Sequence, residues 1–218
     1  MSRTDEERDS AILDEAIQLL EKTTEYQMLV EKLKPLVQPM IPSSEGSKDF
    51  RDFLRQSLTR FKKSGERMRH LKEDSKAEYG SQLDTLRKAF LYLAFFETSV
   101  TNILDLVVML LVFNGHDYFV QYPRKYARNL DDLEGVSVRE KLDFLNFHGF
   151  SIFAENINSN LRNKIAHMDF DIESKGIIYA NKQKYDLQNE IIKLEAFVLL
   201  SGKALGSLRL FELLSEKT

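Results

Sequence analysis

Residues 89–113 read AFLYLAFFETSVTNILDLVVMLLVF, apolar almost throughout, and the fold class turns on this stretch. By length alone it crosses a bilayer, since about 20 apolar residues in a helix span the hydrocarbon core. Glu97, Asn102 and Asp105 lie inside it, however, and an acid at a bilayer centre costs about 2.5–3.5 kcal/mol. The stretch therefore predicts a helix buried within a protein core, with no membrane partner. Its polar residues Glu97, Thr98, Thr101, Asn102 and Asp105 recur every three or four positions and make one narrow stripe. Buried carboxylates need partners, so the stripe is expected either to satisfy itself across a helix interface or to face a polar cleft.

Outward from this helix the chain stays helical in pattern. Upstream, apolar residues from Ile12 to Leu33 recur at helical spacing and predict an amphipathic helix over 5–34 whose stripe needs a cover. Pro35, Pro39 and Pro42 and the run Ser43-Ser44-Glu45-Gly46-Ser47 then predict a linker. The expected division is 1–47, helix and linker, and 48–218, the main helical domain. Residues 48–79 predict a basic helix carrying Arg51, Arg55, Arg60, Lys62, Lys63, Arg67, Arg69 and Lys72. A solvated face is the first reading of such a run, and a track for an RNA backbone the second.

Downstream, Asn114-Gly115 ends the apolar helix. Tyr118, Phe119, Tyr122, Arg124, Lys125, Tyr126 and Arg128 follow, expected as a packed loop and short helix. Aromatics interleaved with cations also stack bases and hold phosphates, which makes Arg124, Lys125, Tyr126 and Arg128 RNA-binding candidates. A short helix over 140–150 and a second starting near Ser151 are predicted, with Gly149 between them. Phe170-Asp171-Ile172 and Ile177-Ile178-Tyr179 around Ser174-Lys175-Gly176 predict a small hairpin, and Leu187 to Phe211 a last long helix. The fold class is all-α, a helical bundle with one minor β excursion.

Composition narrows the chemistry. The 218 residues hold no cysteine and four scattered histidines, which excludes disulfides and thiolate metal sites and offers no ligand cluster; no metal or other cofactor is expected. The N-terminal residues are charged and lack the apolar run of a secretory signal, so a cytoplasmic protein is expected. A net charge of −3 provides no global basic field, so any RNA contact is local.

One heptapeptide carries reactive groups. Leu161-Arg162-Asn163-Lys164-Ile165-Ala166-His167 sets a guanidinium and an imidazole five residues apart. An imidazole exchanges protons near neutral pH and a guanidinium offers a planar fork of donors to a phosphate, a minimal pair for cleaving a phosphodiester. At about 100° per residue Asn163 and His167 share a helix face, whereas Arg162 and His167 diverge by about 140°. A site at a helix end, between two copies of the motif, suits that geometry.

With Asn163 after the Arg, Ile165-Ala166 before the His, Asp169 two residues on and a β-like stretch beyond, residues 84–214 resemble the HEPN superfamily of Arg-x4-His ribonucleases. The resemblance implies a bundle of long antiparallel helices, a homodimer, and metal-independent RNA cleavage of defence or toxin type through a 2′,3′-cyclic phosphate. It implies Arg162, His167 and Asn163 as catalytic residues, with Lys164 available to RNA. It implies Glu97, Asn102 and Asp169 as supporting groups, Glu97 facing the Arg/His helix. The chain departs from the toxin branch silenced by nucleotide transfer, which carries a Tyr where Asp169 stands. That modification is not expected here, and Asp169 adds a negative charge beside the phosphate site.

The contrasting expectation is a non-catalytic dimerisation, interaction or ligand-sensing module, with Arg162 paired to an acid and His167 merely closing a helix. Its first two helices would then hold a protein partner or an antitoxin. A carboxylate metal enzyme would need paired Glu-x-x-His motifs, which the sequence lacks.

Overall fold

The computed structural model describes residues 22–37, 47–74, 81–120 and 125–207, together with Gln18. The first part of the expected helix over 5–34, the linker around Pro39 and Pro42, Tyr122, Arg124, Leu208 and Phe211 lie outside the described residues. So do the side chains of Lys62, Arg69 and Lys72.

Helix α1 (Thr24–Val37) opens on the Thr23 hydroxyl, which accepts the Tyr26 N–H at 3.3 Å, and runs through Pro35 into its last turn. Having no N–H, Pro35 cannot supply the helical donor to the carbonyl four residues back, that of Glu31, and the helix ends two residues later. Its stripe Leu29, Leu33, Leu36 and Val37 is buried, and α1 packs on the last helix, α8 (Leu187–Ser207). Helix α2 (Ser47–Asp74) adds Phe50, Phe53 and Leu54 to the same core, Phe50 meeting Phe113 edge to face at 5.4 Å.

The decisive stretch lies in one continuous helical run, α3 (Ser81–Phe95), a π-helical turn (Phe96–Val100) and α4 (Thr101–Phe113). This run is long and apolar enough to cross a membrane, yet 72% of its most apolar window is buried inside the protein. Every residue from Ile103 to Leu111 is buried, so other helices cover the surface that lipid would need. The π turn has a local cause in the sequence FETSVT. The Thr101 N–H reaches back five residues to the Phe96 carbonyl, and hydroxyls of Thr98 and Thr101 donate to Ala94 O (2.7 Å) and Phe96 O (3.2 Å). A buried Ser64 to Ser99 hydroxyl bond of 2.9 Å ties the turn to α2.

Two small antiparallel sheets complete the mostly helical fold. The segment expected as loop and helix forms instead a two-stranded sheet, β1 (Phe119–Val120) with β2 (Lys125–Tyr126), followed by a 3-10 turn (Leu130–Leu133). Helices α5 (Val138–Phe147), α6 (Ser151–Asn156) and α7 (Ser159–Ala166) follow. The motif helix thus starts at Ser159, not near Ser151. Ile157 is extended and Asn158 caps α7 through the Leu161 N–H at 3.0 Å, which breaks the run.

The expected hairpin is present as β3 (Asp171–Ser174) and β4 (Ile177–Ala180), and a third strand, β5 (Gln183–Asp186), pairs with β4. Its turn uses Asn181 and Lys182, both at positive φ, the backbone that a two-residue hairpin requires. The buried Thr85 hydroxyl anchors the sheet to α3, accepting the Gly176 N–H at 2.8 Å.

At the end of α5, His148 packs edge-on against His116 and Phe144, both ring centroids at 4.5 Å. Burial, and then the His116 charge, hold the His148 imidazole below its ordinary 6.5. The neutral form is therefore favoured by folding, and the associated stability is fully present above pH 6.5 and lost as pH falls through the folded value. The expected result is a melting temperature that declines between pH 7 and 5, with a shallower decline in His148→Phe, read by circular dichroism.

Candidate functional site

The polar stripe read from the sequence divides between two tasks. At its lower end Asp105, 6% exposed, pairs with Lys141 of α5, 2% exposed, at 2.6 Å. Burial pushes the Asp105 carboxyl up while Lys141 pulls it down. At its upper end Glu97, on the π turn, takes both Nε and an Nη of Arg162 on one oxygen. An Arg162 Nη also donates to Asn163 Oδ1 at 2.8 Å. A guanidinium has five N–H donors, so two remain for a ligand.

Between these pairs lies a cleft of about 550 Å³. Glu97, Thr101, Asn102 and Asp105 form one side, and Arg162, Asn163 and Ser159 of α7 another. Residues 133–139 close it, with Arg60 of α2 reaching Asp131 (3.3 Å) and Glu134 (3.5 Å). The structure thus brings together Arg162, Asn163, Glu97 and Asn102.

His167 is not among the residues lining the cleft. It caps the C-terminus of α7, exposed, with no hydrogen-bond partner for its ring among the described residues. Asn160, Asn163 and His167 are all exposed and share one outward face of α7. Helix α7 closes with Met168 N–H on Ile165 O (3.1 Å) and Asp169 N–H on Lys164 O (2.8 Å), which requires Met168 at φ 56. Helix α5 closes in the same pattern with Gly149 at φ 82. Holding methionine where glycine serves elsewhere costs about 1–2 kcal/mol, placed directly after His167.

The remaining candidates lie apart from the cleft. Lys164 and Asp169 pair with each other, so Asp169 carries its own counter-charge. Lys125 pairs with Asp132, whose carboxyl is held low by that contact and by the Arg128 and Asn129 N–H groups, and Arg128 lies over the Tyr126 ring at 5.9 Å. On α2, Arg55, Lys63 and Arg67 are exposed to solvent and Arg55 pairs with Asp52, as a solvated face requires. Among the described residues no three His, Cys, Asp or Glu converge as for a metal ion.

Sequence reasoning missed Ser159 and Lys141, and named Arg60 only as one of the basic residues of α2. Lys141 stands four residues before buried Leu145, on the inward face of α5, and that phase was the available signal. No protein family matches the chain, nor does any curated protein or solved structure.

Proposed function

We propose that the protein is a HEPN-type, metal-independent endoribonuclease of the cytoplasm, cleaving RNA at a cleft between two copies of the chain. The observation that carries this reading is the Glu97–Arg162–Asn163 array at the rim of the cleft, with exposed His167 one turn beyond Asn163. Glu97 and Asn163 fix the guanidinium so that its two spare donors meet a phosphate without reorganisation. One His167 removes the proton from a ribose 2′-hydroxyl. The 2′-oxygen attacks phosphorus, and the 5′-oxygen leaves with a proton from the second copy's His167, giving a 2′,3′-cyclic phosphate and a 5′-hydroxyl.

The surface beside the motif supports the dimer. Leu83 and Phe90, seven apart on α3, are 48% and 54% exposed, and the same spacing continues to Glu97. Helix α3 packs on α7, whose end adds exposed Met168. A partner copy covering this apolar strip draws a second motif towards the first. The expected result is a dimer by light scattering that Phe90→Glu converts to a monomer, with loss of cleavage; a monomeric wild type contradicts it.

One observation favours the second reading, a ligand-sensing or interaction module. Glu97 already matches the charge of Arg162, as it would in a purely structural contact. Metal-free cleavage of RNA that depends on His167 separates the two.

A further inference from the structure

The cleft beside Arg162 has an unusual charge balance. The inward cations of its lining are paired in the structure, Arg162 with Glu97, Lys141 with Asp105 and Arg60 with Glu134 and Asp131, while Arg139, at the solvent-exposed mouth, meets only Asp143 at 4.0 Å. The interior therefore has little surplus positive charge to offset the desolvation of a phosphate. What it offers unpaired is neutral: the half-buried Asn102 amide, the Ser159 hydroxyl and the Asn163 NH2 have no hydrogen-bond partner among the described residues. Leu133, Val136 and Val138 supply apolar wall.

We infer that this cleft binds a single unpaired nucleobase with its ribose, and that Asn102 reads the base. Carboxamides meet a base edge with a donor and an acceptor side by side, and aliphatic side chains cover a ring face. The volume, about 550 Å³, lies within the range of small-molecule sites. Arg162 belongs to both the cleft and the proposed phosphate contact, so the base inside is adjacent to the scissile phosphate. The inference rests on the ribonuclease reading for its choice of ligand and makes the cleft the determinant of cleavage preference.

The test is calorimetric titration of the full chain with adenosine, guanosine, cytidine and uridine, none of which carries a phosphate. The expected result is saturable binding with one base preferred, unaffected by excess inorganic phosphate and retained in His167→Ala. Asn102→Ala is expected to weaken it about tenfold, the worth of one or two hydrogen bonds, and Ser159→Trp to block it. Melting temperatures within a few degrees of wild type establish that both variants are folded. No nucleoside binding by a protein that cleaves RNA overturns the base site and leaves the nuclease standing. Binding that only a triphosphate achieves, or that survives both variants, overturns it as well. Asn102-dependent nucleoside binding without cleavage of any RNA supports the site and removes the nuclease.

Discussion

Lys141→Ala is expected to destabilise the protein by about 3–5 kcal/mol, a large part of the stability of a typical domain. Lys141 and Asp105 are the charged side chains buried in the described core, where α4 and α5 meet at the wall of the cleft. Without its ammonium partner the carboxylate is left charged and nearly fully buried at the cleft wall, with only the more distant Arg60 to offset it. For a chain of this length the melting temperature falls by roughly 6–20 °C. The defect has a pH signature. Burial already raises the Asp105 carboxyl, and losing Lys141 raises it further. A carboxyl raised in the fold adds stability below its unfolded value and loses it as pH rises through the folded one, so the defect shrinks towards pH 4. Asp105→Leu with Lys141→Met, which removes both charges, is expected to recover most of the loss. Thermal melts of the three proteins at pH 4 and 7 check this, and Lys141→Ala within 2 °C of wild type at pH 7 contradicts it.

The sequence carried the architecture where periodicity was strong and lost it where local chemistry intervened. Acids inside the apolar run marked it as a buried helix, and their three-and-four spacing set Glu97, Asn102 and Asp105 on one side of a cleft. The same spacing assumed a regular helix throughout and missed the π turn that presents Glu97, because the hydroxyl bonds behind it depend on register. Phe153, Ile157, Leu161 and Ile165 recur every four residues and are all buried, so the periodicity ran straight through the break at Asn158. Strand β5, QKYD, has a single β-favouring residue and a turn without glycine, and only its pairing with β4 reveals it. The Asp105–Lys141 pair joins residues far apart in the chain, and on sequence alone that lysine passes for a surface residue.

Arg162→Ala is expected to lower RNA cleavage by about 10²–10³ and His167→Ala by about 10²–10⁴, the worth of a preorganised donor and of positioned proton transfer. Neither change unfolds the protein. Arg162 and Glu97 keep side-chain exposures of 27% and 40%, so their pair contributes about 1 kcal/mol at most, and His167 is exposed at a helix end. Groups that act on one transition state are not additive, so the double variant is expected to cleave no more slowly than the worse single one by more than a small factor. Asn163→Ala frees one Arg162 donor from its tether and is expected to cost less than either. Initial rates on a labelled RNA, with melting temperatures alongside, give each value, and full activity in Arg162→Ala removes the phosphate role.

The central claim is metal-free cleavage by the motif helix, and the most direct measurement incubates purified wild type and His167→Ala with labelled single-stranded and structured RNAs in EDTA, followed by end-group analysis. The predicted result is products from wild type alone, ending in 2′,3′-cyclic phosphate and 5′-hydroxyl. Absence of cleavage of every RNA, or equal cleavage by both proteins, contradicts the claim.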